Sequence, residues 1–265
     1  MSLIDSHCHL KTFVQKNTLS NVLARAKTAG VEKYITVGTS IQDWDCYQSL
    51  ARNNPDIFYS VGLHPCYVAN DWADDVEKIL NYWDSQCKPV ALGEIGLDYF
   101  HLPKDKNLSL ENVIQQKQCF SRQLELARVL DCPVIIHSRN SFNDCVYLID
   151  QSGLEWEKVV FHCFSEGELQ MKEISSRGGR ASFTGNITYP GNDKILEAVK
   201  YQGVEKLILE TDSPYLSPEP NRKSKNEPSR VKEILGFLES IFEDDCQQME
   251  EIIRLNTEEF FMLNS

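Results

Sequence analysis

The sequence predicts a (β/α)8 TIM barrel of the α/β class, formed by one domain over residues 1–265. Short apolar segments alternate with segments of helical periodicity about eight times, and such alternation produces a parallel sheet with right-handed crossovers. A chain of 265 residues has the length of eight such units closed into a barrel. The first strand is not followed by the glycine-rich phosphate motif of open nucleotide-binding sheets.

The predicted strands are short apolar runs, and several of them are bounded by glycine or proline. They are expected at residues 4–10, 34–37, 57–63, 89–97, 133–137, 158–162, 180–183 and 206–210. The predicted helices show apolar residues at spacings of three and four, and the first of them stops at Gly30, a residue typical of helix ends. Helices are expected at residues 19–29, 41–52, 77–83, 110–130, 141–149, 169–177, 195–201, 229–242 and 248–262.

Composition limits the classes of protein that the chain can belong to. Its 42% hydrophobic and 25% charged residues are ordinary for a soluble globular protein. No apolar run approaches the roughly 20 residues that span a membrane, and the N-terminus does not resemble a secretory signal. We therefore expect a cytoplasmic protein with no membrane association, acting as a monomer.

Cysteine spacing and net charge add two further limits. The nine cysteines are scattered and contain no C-x-x-C pair, so we expect reduced thiols rather than disulfides or a zinc ribbon. The net charge of −12 argues against tight nonspecific binding of nucleic acid, which depends on Lys and Arg contacts to phosphates. It weakens a nucleic-acid function without excluding one.

Polar residues alternate along the first predicted strand, which reads I-D-S-H-C-H-L. Because side chains alternate between the faces of a strand, Asp5, His7 and His9 share one face. Burying three polar groups together costs free energy unless a charge compensates them. Two imidazoles there can bind one metal ion, with Asp5 as a ligand or an orienting partner. We prefer this interpretation to a pair of core histidines.

Other histidines and carboxylates also fall at or just after the ends of predicted strands. This is the end at which TIM barrels carry their active sites, and core histidines have no reason to collect there. His64 follows the third strand in G-L-H-P. The candidate metal ligands at strand ends are His7, His9, Glu94, His137, His162 and Asp212.

Neighbouring strands of a closed barrel bring these candidates into two groups. The first and eighth strands are expected to place His7, His9 and Asp212 on one ion. The fifth and sixth strands place His137 and His162 on another. Glu94 has two oxygens and is expected to bridge two divalent ions about 3.5–4 Å apart, as in two-metal hydrolases. Imidazole and carboxylate ligands suit zinc, manganese, nickel or magnesium without choosing among them.

The same residues suggest a hydrolytic mechanism. Water activated by metal ions is a nucleophile at neutral pH. Asp212 is the first candidate to accept its proton, and Asp98 or Glu210 is the competing assignment. The predicted catalytic residues are therefore Asp212 and Glu94. Cys8 and Cys163 adjoin ligand histidines, but strand alternation predicts that both face away from the barrel interior and serve in packing.

Several residues near these strand ends could bind an anionic substrate. The loop after the eighth strand carries a local basic excess in an acidic protein, and such loops often bind phosphate in this fold. Arg222 is the best candidate there because a guanidinium fits paired phosphate oxygens. Tyr99, Phe100 and Tyr189 could stack on bases, although core packing is the competing explanation. The predicted substrate-binding residues are His64, Arg139, Arg222 and Asn226.

The motifs together resemble those of the TatD family of metal-dependent hydrolases. The resemblance rests on D-S-H-C-H-L, G-L-H-P, G-E-I-G-L-D-Y, I-I-H-S-R, F-H-C-F-S, F-T-G-N and E-T-D-S-P-Y-L-S-P followed by N-E-P, and it ends with L-N-T-E-E-F-F in the last helix. It implies a TIM barrel with two divalent metal ions and deoxyribonuclease activity, often 3'-to-5' exonuclease action on single-stranded DNA. Carried over by position, it implies the same six ligands. One departure lies after N-E-P, where Ser229 and Arg230 stand at a position that is often aromatic in the family.

Two other functions remain compatible with the sequence. A metal-dependent amidohydrolase or esterase could act on a small or aminoacyl-ester substrate from the same barrel. Many such enzymes bridge their metals with a carboxylated lysine on the fourth strand, whereas this chain has Glu94 and no lysine between residues 90 and 98. A non-catalytic metal-stabilised binding module would need neither a base such as Asp212 nor His64 and the basic loop.

Overall fold

Eight parallel strands lie side by side in the order in which they occur along the chain. The computed structural model describes residues 2–242 and 248–263. The strands are β1 (Leu3–Cys8), β2 (Val31–Thr36), β3 (Ile57–Val61), β4 (Ala91–Asp98), β5 (Val134–Arg139), β6 (Val159–Phe161), β7 (Arg180–Phe183) and β8 (Ile208–Leu209). The segment after β8 returns to β1, because the Asp212 amide donates to His7 O and the His9 amide donates to Ser213 O, each over 2.8 Å. These bonds close the sheet into the predicted (β/α)8 barrel.

Helices surround the strands in the alternation that the sequence predicts. They are α1 (Lys11–Gln15), α2 (Leu19–Thr28), α3 (Ile41–Asn53), α4 (Trp72–Glu77), α5 (Ile79–Trp83), α6 (Lys106–Leu130), α7 (Phe142–Ser152), α8 (Glu168–Arg177), α9 (Asp193–Gln202), α10 (Val231–Glu239) and α11 (Met249–Phe260). Every predicted strand and helix overlaps an observed one. Within residues 2–242 and 248–263, no helix has the length and hydrophobicity needed to cross a bilayer.

The differences from prediction lie at element boundaries and have local causes. β2 begins at Val31 rather than at residue 34, since Glu32 and Lys33 interrupt the apolar run while continuing the strand. α6 begins four residues before the predicted start because the Asp105 side chain caps it, accepting from the amides of Asn107 and Leu108. The short helix α1 was not predicted, and the helix predicted over residues 77–83 is split between α4 and α5.

Two hydrophobic clusters form the core of the barrel, and polar residues occupy one end of it. The larger cluster contains core residues from strands and helices together. A smaller cluster contains apolar residues in or next to the strands and at the end of α11, namely Ile35, Val37, Ala91, Ile135, Val160, Ile208, Phe260 and Phe261. The aromatic pair at the end of α11 therefore packs on the apolar residues of the strands, and the polar strand ends remain available for a site. The eight cysteines in the described ranges are free, while Cys246 lies outside them.

Gly96 lets β4 approach β5 closely beside the polar strand ends. Its φ is +142°, and a Cβ atom added there would lie 2.0 Å from the carbonyl oxygen of His137. An L side chain would be strained by the backbone conformation and would clash with backbone atoms that cannot move aside. Gly96 lies two residues from both Glu94 and Asp98, so this close approach also positions two acidic groups of the site.

We expect Gly96→Ala to lower the free energy of unfolding by about 2–4 kcal/mol, the combined size of backbone strain and overpacking. Denaturant unfolding measures the change. Gly236→Ala is the matched control, because Gly236 lies in α10 with no atom within 4 Å of its added Cβ. That change should be neutral or stabilise by up to about 1 kcal/mol. Equal stability of Gly96→Ala and the original chain would contradict the packing described here.

Candidate metal centre

The six predicted metal ligands converge at the C-terminal end of the barrel. β1 carries His7, the following residues carry His9, β4 carries Glu94 and β5 carries His137. His162 and Asp212 lie one and three residues beyond β6 and β8. Parallel strands direct these ends to one side of the barrel, so residues up to 205 positions apart in the chain meet in one site.

Glu94 lies at the middle of the cluster, with its two oxygens facing different histidines. Oε2 is 3.4 Å from His7 Nε2 and 4.0 Å from His9 Nε2. Oε1 is 2.7 Å from His162 Nε2 and 2.8 Å from His137 Nδ1. The carboxylate is almost fully buried. This arrangement is the one a bridging carboxylate requires, with one oxygen directed to each set of nitrogen ligands.

One potential ligand group combines His7, His9 and Asp212. Asp212 Oδ1 is 3.2 Å from His9 Nε2 and 3.7 Å from His7 Nε2. These distances are suitable for donor atoms around one shared cation. Asp212 adopts a φ of 52°, a left-handed conformation that is uncommon outside glycine and concentrates at functional sites.

The second group contains His137 and His162, whose Nδ1 and Nε2 atoms are 3.3 Å apart. His137 also places its Nε2 atom 3.1 Å from Asp98 Oδ2. An ionised carboxylate only accepts hydrogen bonds, so Asp98 fixes a proton on Nε2 and leaves Nδ1 as the nitrogen that can bind an ion. A carboxylate behind a ligand histidine is a common arrangement at protein metal sites.

The residues present fit divalent cations. His7 is fully buried, and neither of its ring nitrogens has a hydrogen-bond partner among the described residues, which is also true of His162 Nδ1. Unpaired buried polar atoms are rare in folded proteins and need an explanation. The rings of His7 and His162 stack with centroids 4.1 Å apart. Burial lowers the pKa of His7, and His162 lowers it further, which keeps His7 in the neutral form that binds metals.

The two central carboxylates are held in their ionised forms. Burial by itself would raise the pKa of Glu94, but the charge of His162 and hydrogen bonds with His137 and His162 hold it well below its ordinary value. Burial likewise opposes ionisation of Asp212, whereas the hydrogen bond with His9 and the charge of His9 lower its pKa. Both groups are therefore anionic acceptors at neutral pH.

Asp98 and Glu210, the competing candidates for the base, are engaged by protein donors. Asp98 accepts from the amides of Phe100 and His101 through Oδ1. Glu210 accepts from the Cys163 amide and the Ser182 hydroxyl, each over 2.6 Å. Glu210 also lies 3.6 Å from His162 Nδ1 and 3.9 Å from His7 Nδ1. This placement favours orienting roles for both acids.

Asp5 supports the site from behind instead of joining a ligand group. Its carboxylate accepts from the amide of Thr211 over 2.8 Å and from the Thr211 hydroxyl over 2.6 Å. Burial raises the pKa of Asp5 to about 8, although these hydrogen bonds oppose the shift. Asp5 thereby anchors the residue immediately before Asp212, which agrees with the orienting alternative considered from the sequence.

His64 is closer to the centre than a purely substrate-binding residue would be. Its Nε2 atom is 3.2 Å from Glu94 Oε1, and it forms a possible ligand group with Glu94 and His137. However, the Cys66 amide donates to His64 Nδ1 over 3.1 Å. The proton of the neutral ring is thus on Nε2, which makes His64 a hydrogen-bond donor toward Glu94 or a bound substrate.

A cavity of about 1110 Å³ opens over the cluster, and the predicted substrate residues differ in their relation to it. Arg139 lines it and stacks on Phe100, with 3.9 Å from the guanidinium carbon to the ring centre. Arg222 stacks on Tyr189 at 4.0 Å but is not among the lining residues. Tyr99 donates from its hydroxyl to Asp144, which favours packing over base stacking.

The prediction that Cys163 faces away from the barrel interior is wrong. Cys163 has a φ of 46° and lines the cavity, because the chain leaves the extended conformation after β6 and strand alternation no longer applies. The corresponding prediction for Cys8 agrees with the structure, since its fully buried thiol donates to Ile35 O over 3.5 Å.

Asn226 does not lie where a substrate contact is expected. Its side chain is fully buried, and its Nδ2 atom donates to Thr211 O over 2.9 Å and to Tyr215 O over 2.5 Å. Its Oδ1 atom accepts from the Glu227 amide. All of its hydrogen-bonding groups are used within the chain, so Asn226 holds the loop that carries Asp212. The sequence motif therefore identified an important residue, but its role is to hold this loop and not to bind substrate.

We expect Asn226→Ala to lower the free energy of unfolding by about 1–3 kcal/mol, because two buried carbonyl groups lose their donor. Thermal or denaturant unfolding gives the size of the loss. Asn221→Ala is the matched control, since Asn221 is exposed and its side chain donates only a 3.2 Å bond to Glu233. Unchanged stability, together with weaker substrate binding alone, would restore Asn226 to the substrate site.

A TIM barrel with imidazole and carboxylate ligands gathered at its strand ends defines the class of metal-dependent hydrolases. The comparisons with known proteins agree with this class and identify the family within it. The family profile described as "TatD related DNase" matches residues 4–262. The chain belongs to the TatD family.

Curated relatives and solved structures cover nearly the whole chain. The "Uncharacterized metal-dependent hydrolase YcfH" of Escherichia coli K12 is 29% identical over 99% of this chain and 96% of its own. The "3'-5' ssDNA/RNA exonuclease TatD" of Cronobacter turicensis is 30% identical, with 92% of both chains covered. The crystal structure of the TatD homologue YJJV from Escherichia coli K12 superposes with a TM-score of 0.89 at 26% identity, covering 98% of each chain.

Proposed function

We propose that this metal-dependent hydrolase cleaves phosphodiester bonds in DNA, acting as a 3'-to-5' exodeoxyribonuclease on single strands with two divalent ions. The observation that carries the proposal is the position of Glu94. One of its oxygens faces His7 and His9, and the other faces His137 and His162. A carboxylate between two sets of ligands is the arrangement that two-metal phosphodiesterases use.

The protein residues divide the chemistry between them. When bound, two divalent ions supply activation of water and positive charge for the phosphate. Glu94 holds the two ligand sets together at the floor of the cavity. Asp212 uses Oδ1 to contact His9, which leaves Oδ2 as the oxygen that accepts the proton of the attacking water. His64 donates through Nε2 toward a substrate oxygen or Glu94.

Features around the cavity support a nucleic-acid substrate. Arg139 lines the cavity and is backed by Phe100, which is 57% exposed. This pair can contact a phosphate through the guanidinium and a base through the exposed ring. The net charge of −12 limits attraction of nucleic acid elsewhere on the chain. We therefore propose a short, weakly held DNA segment that enters the cavity by its 3' end. The relative from Cronobacter turicensis, named for action on single-stranded DNA and RNA, supports the same substrate class.

The test is hydrolysis of single-stranded DNA by protein stripped of metal and then supplied with magnesium, manganese or zinc. DNA labelled at its 5' end should give a ladder that shortens from the 3' end only when metal is present. Asp212→Asn, purified in parallel, reveals any contaminating nuclease. An RNA strand of the same sequence measures the preference for deoxyribose.

Absence of cleavage with every metal, in protein shown to bind two ions, would overturn the nuclease proposal. The alternative is a metal-dependent amidohydrolase or esterase acting on a small or aminoacyl-ester substrate. A panel of lactones, amides and aminoacyl esters then identifies the reaction class. Cleavage starting from the 5' end or within the strand would retain the phosphodiesterase but reject the proposed polarity.

A further inference from the structure

A second type of metal-binding group lies at the rim of the cavity, beside the centre described above. Cys66, Asp98 and His101 place potential ligand atoms within 4.8 Å of one another. Cys66 Sγ is 3.7 Å from Asp98 Oδ2 and 3.8 Å from His101 Nδ1, and the last two atoms are 2.9 Å apart. All three residues are outside the set of six predicted ligands, and Asp98 was predicted only as a possible base.

The fold brings these residues together from three neighbouring positions. Cys66 lies in the turn Pro65–Tyr67 after β3, Asp98 ends β4, and His101 lies in the next loop. The amides of Phe100 and His101 both donate to Asp98 Oδ1 over 2.9 Å. Those bonds fold the loop back over β4 and leave Oδ2 directed toward the thiol and the imidazole. Backbone hydrogen bonds therefore hold the group together, and it is not a chance approach of exposed side chains.

We propose that Cys66, Asp98 and His101 form a third metal site, selective for zinc or a similar borderline-soft divalent ion. Thiolate and imidazole ligands favour zinc over magnesium or calcium, and three protein ligands are typical of zinc sites that keep a position open. The six ligands of the main centre contain no sulfur, so the two kinds of site differ in chemistry. This inference goes beyond the proposed nuclease function and does not require it.

The exposure of the three side chains determines how an ion would reach the site, and their neighbours determine which groups would lie beside it. The His101 side chain is 52% exposed and Cys66 is exposed, whereas Asp98 is only 1% exposed. All three residues line the same cavity as the main centre. An ion at this rim site would be reached from solvent and would keep a position for water or an anion from the cavity. Asp98 Oδ2 also contacts His137 Nε2, so one carboxylate would connect the rim site with the main centre.

Cobalt distinguishes the rim site from the main centre, because only a cysteine ligand gives a thiolate-to-cobalt charge-transfer band in the near ultraviolet. Metal-stripped protein is titrated with Co²⁺ while the band is recorded. Zinc content is measured by elemental analysis after equilibration and dialysis. We expect the band in the original chain, and three zinc ions per chain.

Four variants assign the band to specific residues. Cys66→Ser should lose the band and one equivalent of zinc. His101→Ala should need at least about 10-fold more cobalt for half of the band, the lower end of effects seen when metal-site partners are removed. Cys163→Ser is the matched control, since Cys163 is the other thiol that lines the cavity, and it should retain the band. Glu94→Gln should also retain it.

The results separate this inference from the proposed function. No thiolate band in the original chain at saturating cobalt would overturn the rim site, and so would an unchanged band in Cys66→Ser. If His101→Ala reaches half of the band at the same cobalt concentration as the original chain, the exposed thiol binds cobalt alone, and this result also rejects the site. Failure to hydrolyse DNA would reject the nuclease proposal and leave the band, the stoichiometry and the rim site unaffected.

Discussion

Glu94→Gln is expected to lower the metal bound at the main centre below two ions per chain and to reduce phosphodiester hydrolysis by at least about 100-fold. The estimate follows from losses of 10–100-fold in metal affinity or activity when only the outer partners of a metal site are removed. Glu94 contacts His137 and His162 through Oε1 within 2.8 Å and faces His7 through Oε2 at 3.4 Å. An amide keeps the shape but cannot offer two anionic oxygens.

Metal content by elemental analysis and initial rates of DNA hydrolysis measure the two effects. Glu258→Gln is the matched control, because Glu258 is also buried and carries ion pairs with Lys33 and Arg254. It lies in α11 and is not part of a possible ligand group. This control should change stability without changing metal content. Two ions per chain in the double variant Glu94→Gln, Cys66→Ser, which lacks the rim site, would remove Glu94 from its bridging role.

The barrel was predictable because its pattern is repeated. Eight apolar runs with intervening helical periodicity determine a parallel barrel even when individual boundaries are uncertain. The predicted boundaries were wrong where local effects compete with periodicity. Glu32 and Lys33, for example, belong to β2 despite their charge. Side-chain capping by Asp105 is a one-residue effect that periodicity does not detect.

The convergence of the six predicted ligands followed from the same regularity, since residues at the ends of parallel strands meet at one end of the barrel. The functions of the surrounding residues depend on loop geometry, which strand patterns do not describe. Asn226 was predicted to bind substrate, but it is buried and bonded to Thr211 and Tyr215. Cys163 was predicted to face away, but its positive φ turns it into the cavity.

The ligands of the rim site are far apart in the sequence. His101 lies three residues after Asp98, a spacing that allows two ligands to share one ion. Cys66 lies more than thirty residues before Asp98. Only the neighbouring positions of β3 and β4 bring Cys66 to the other two ligands.

Asp212→Asn is expected to reduce the turnover of DNA by about 10²–10⁴-fold, the range for loss of a general base, while leaving the fold intact. Asp212 lies 3.2 Å from His9 Nε2 and 3.7 Å from His7 Nε2, and its amide donates to His7 O. The backbone contact remains in the variant, but the amide side chain cannot accept the proton of the attacking water.

Single-turnover hydrolysis with excess enzyme separates the chemical step from DNA binding, and metal analysis separates loss of the base from loss of an ion. We expect a slow chemical step at every metal concentration, with DNA affinity changed much less. Full recovery of turnover at high metal concentration would make Asp212 a ligand without a role in proton transfer. A smaller loss of turnover in Asp98→Asn, by about 10–100-fold, is the complementary result, because Asp98 orients His137 through Nε2 and is already engaged by the amides of Phe100 and His101. A larger loss of turnover in Asp98→Asn than in Asp212→Asn, with metal content equal in both, would reverse the assignment of the base.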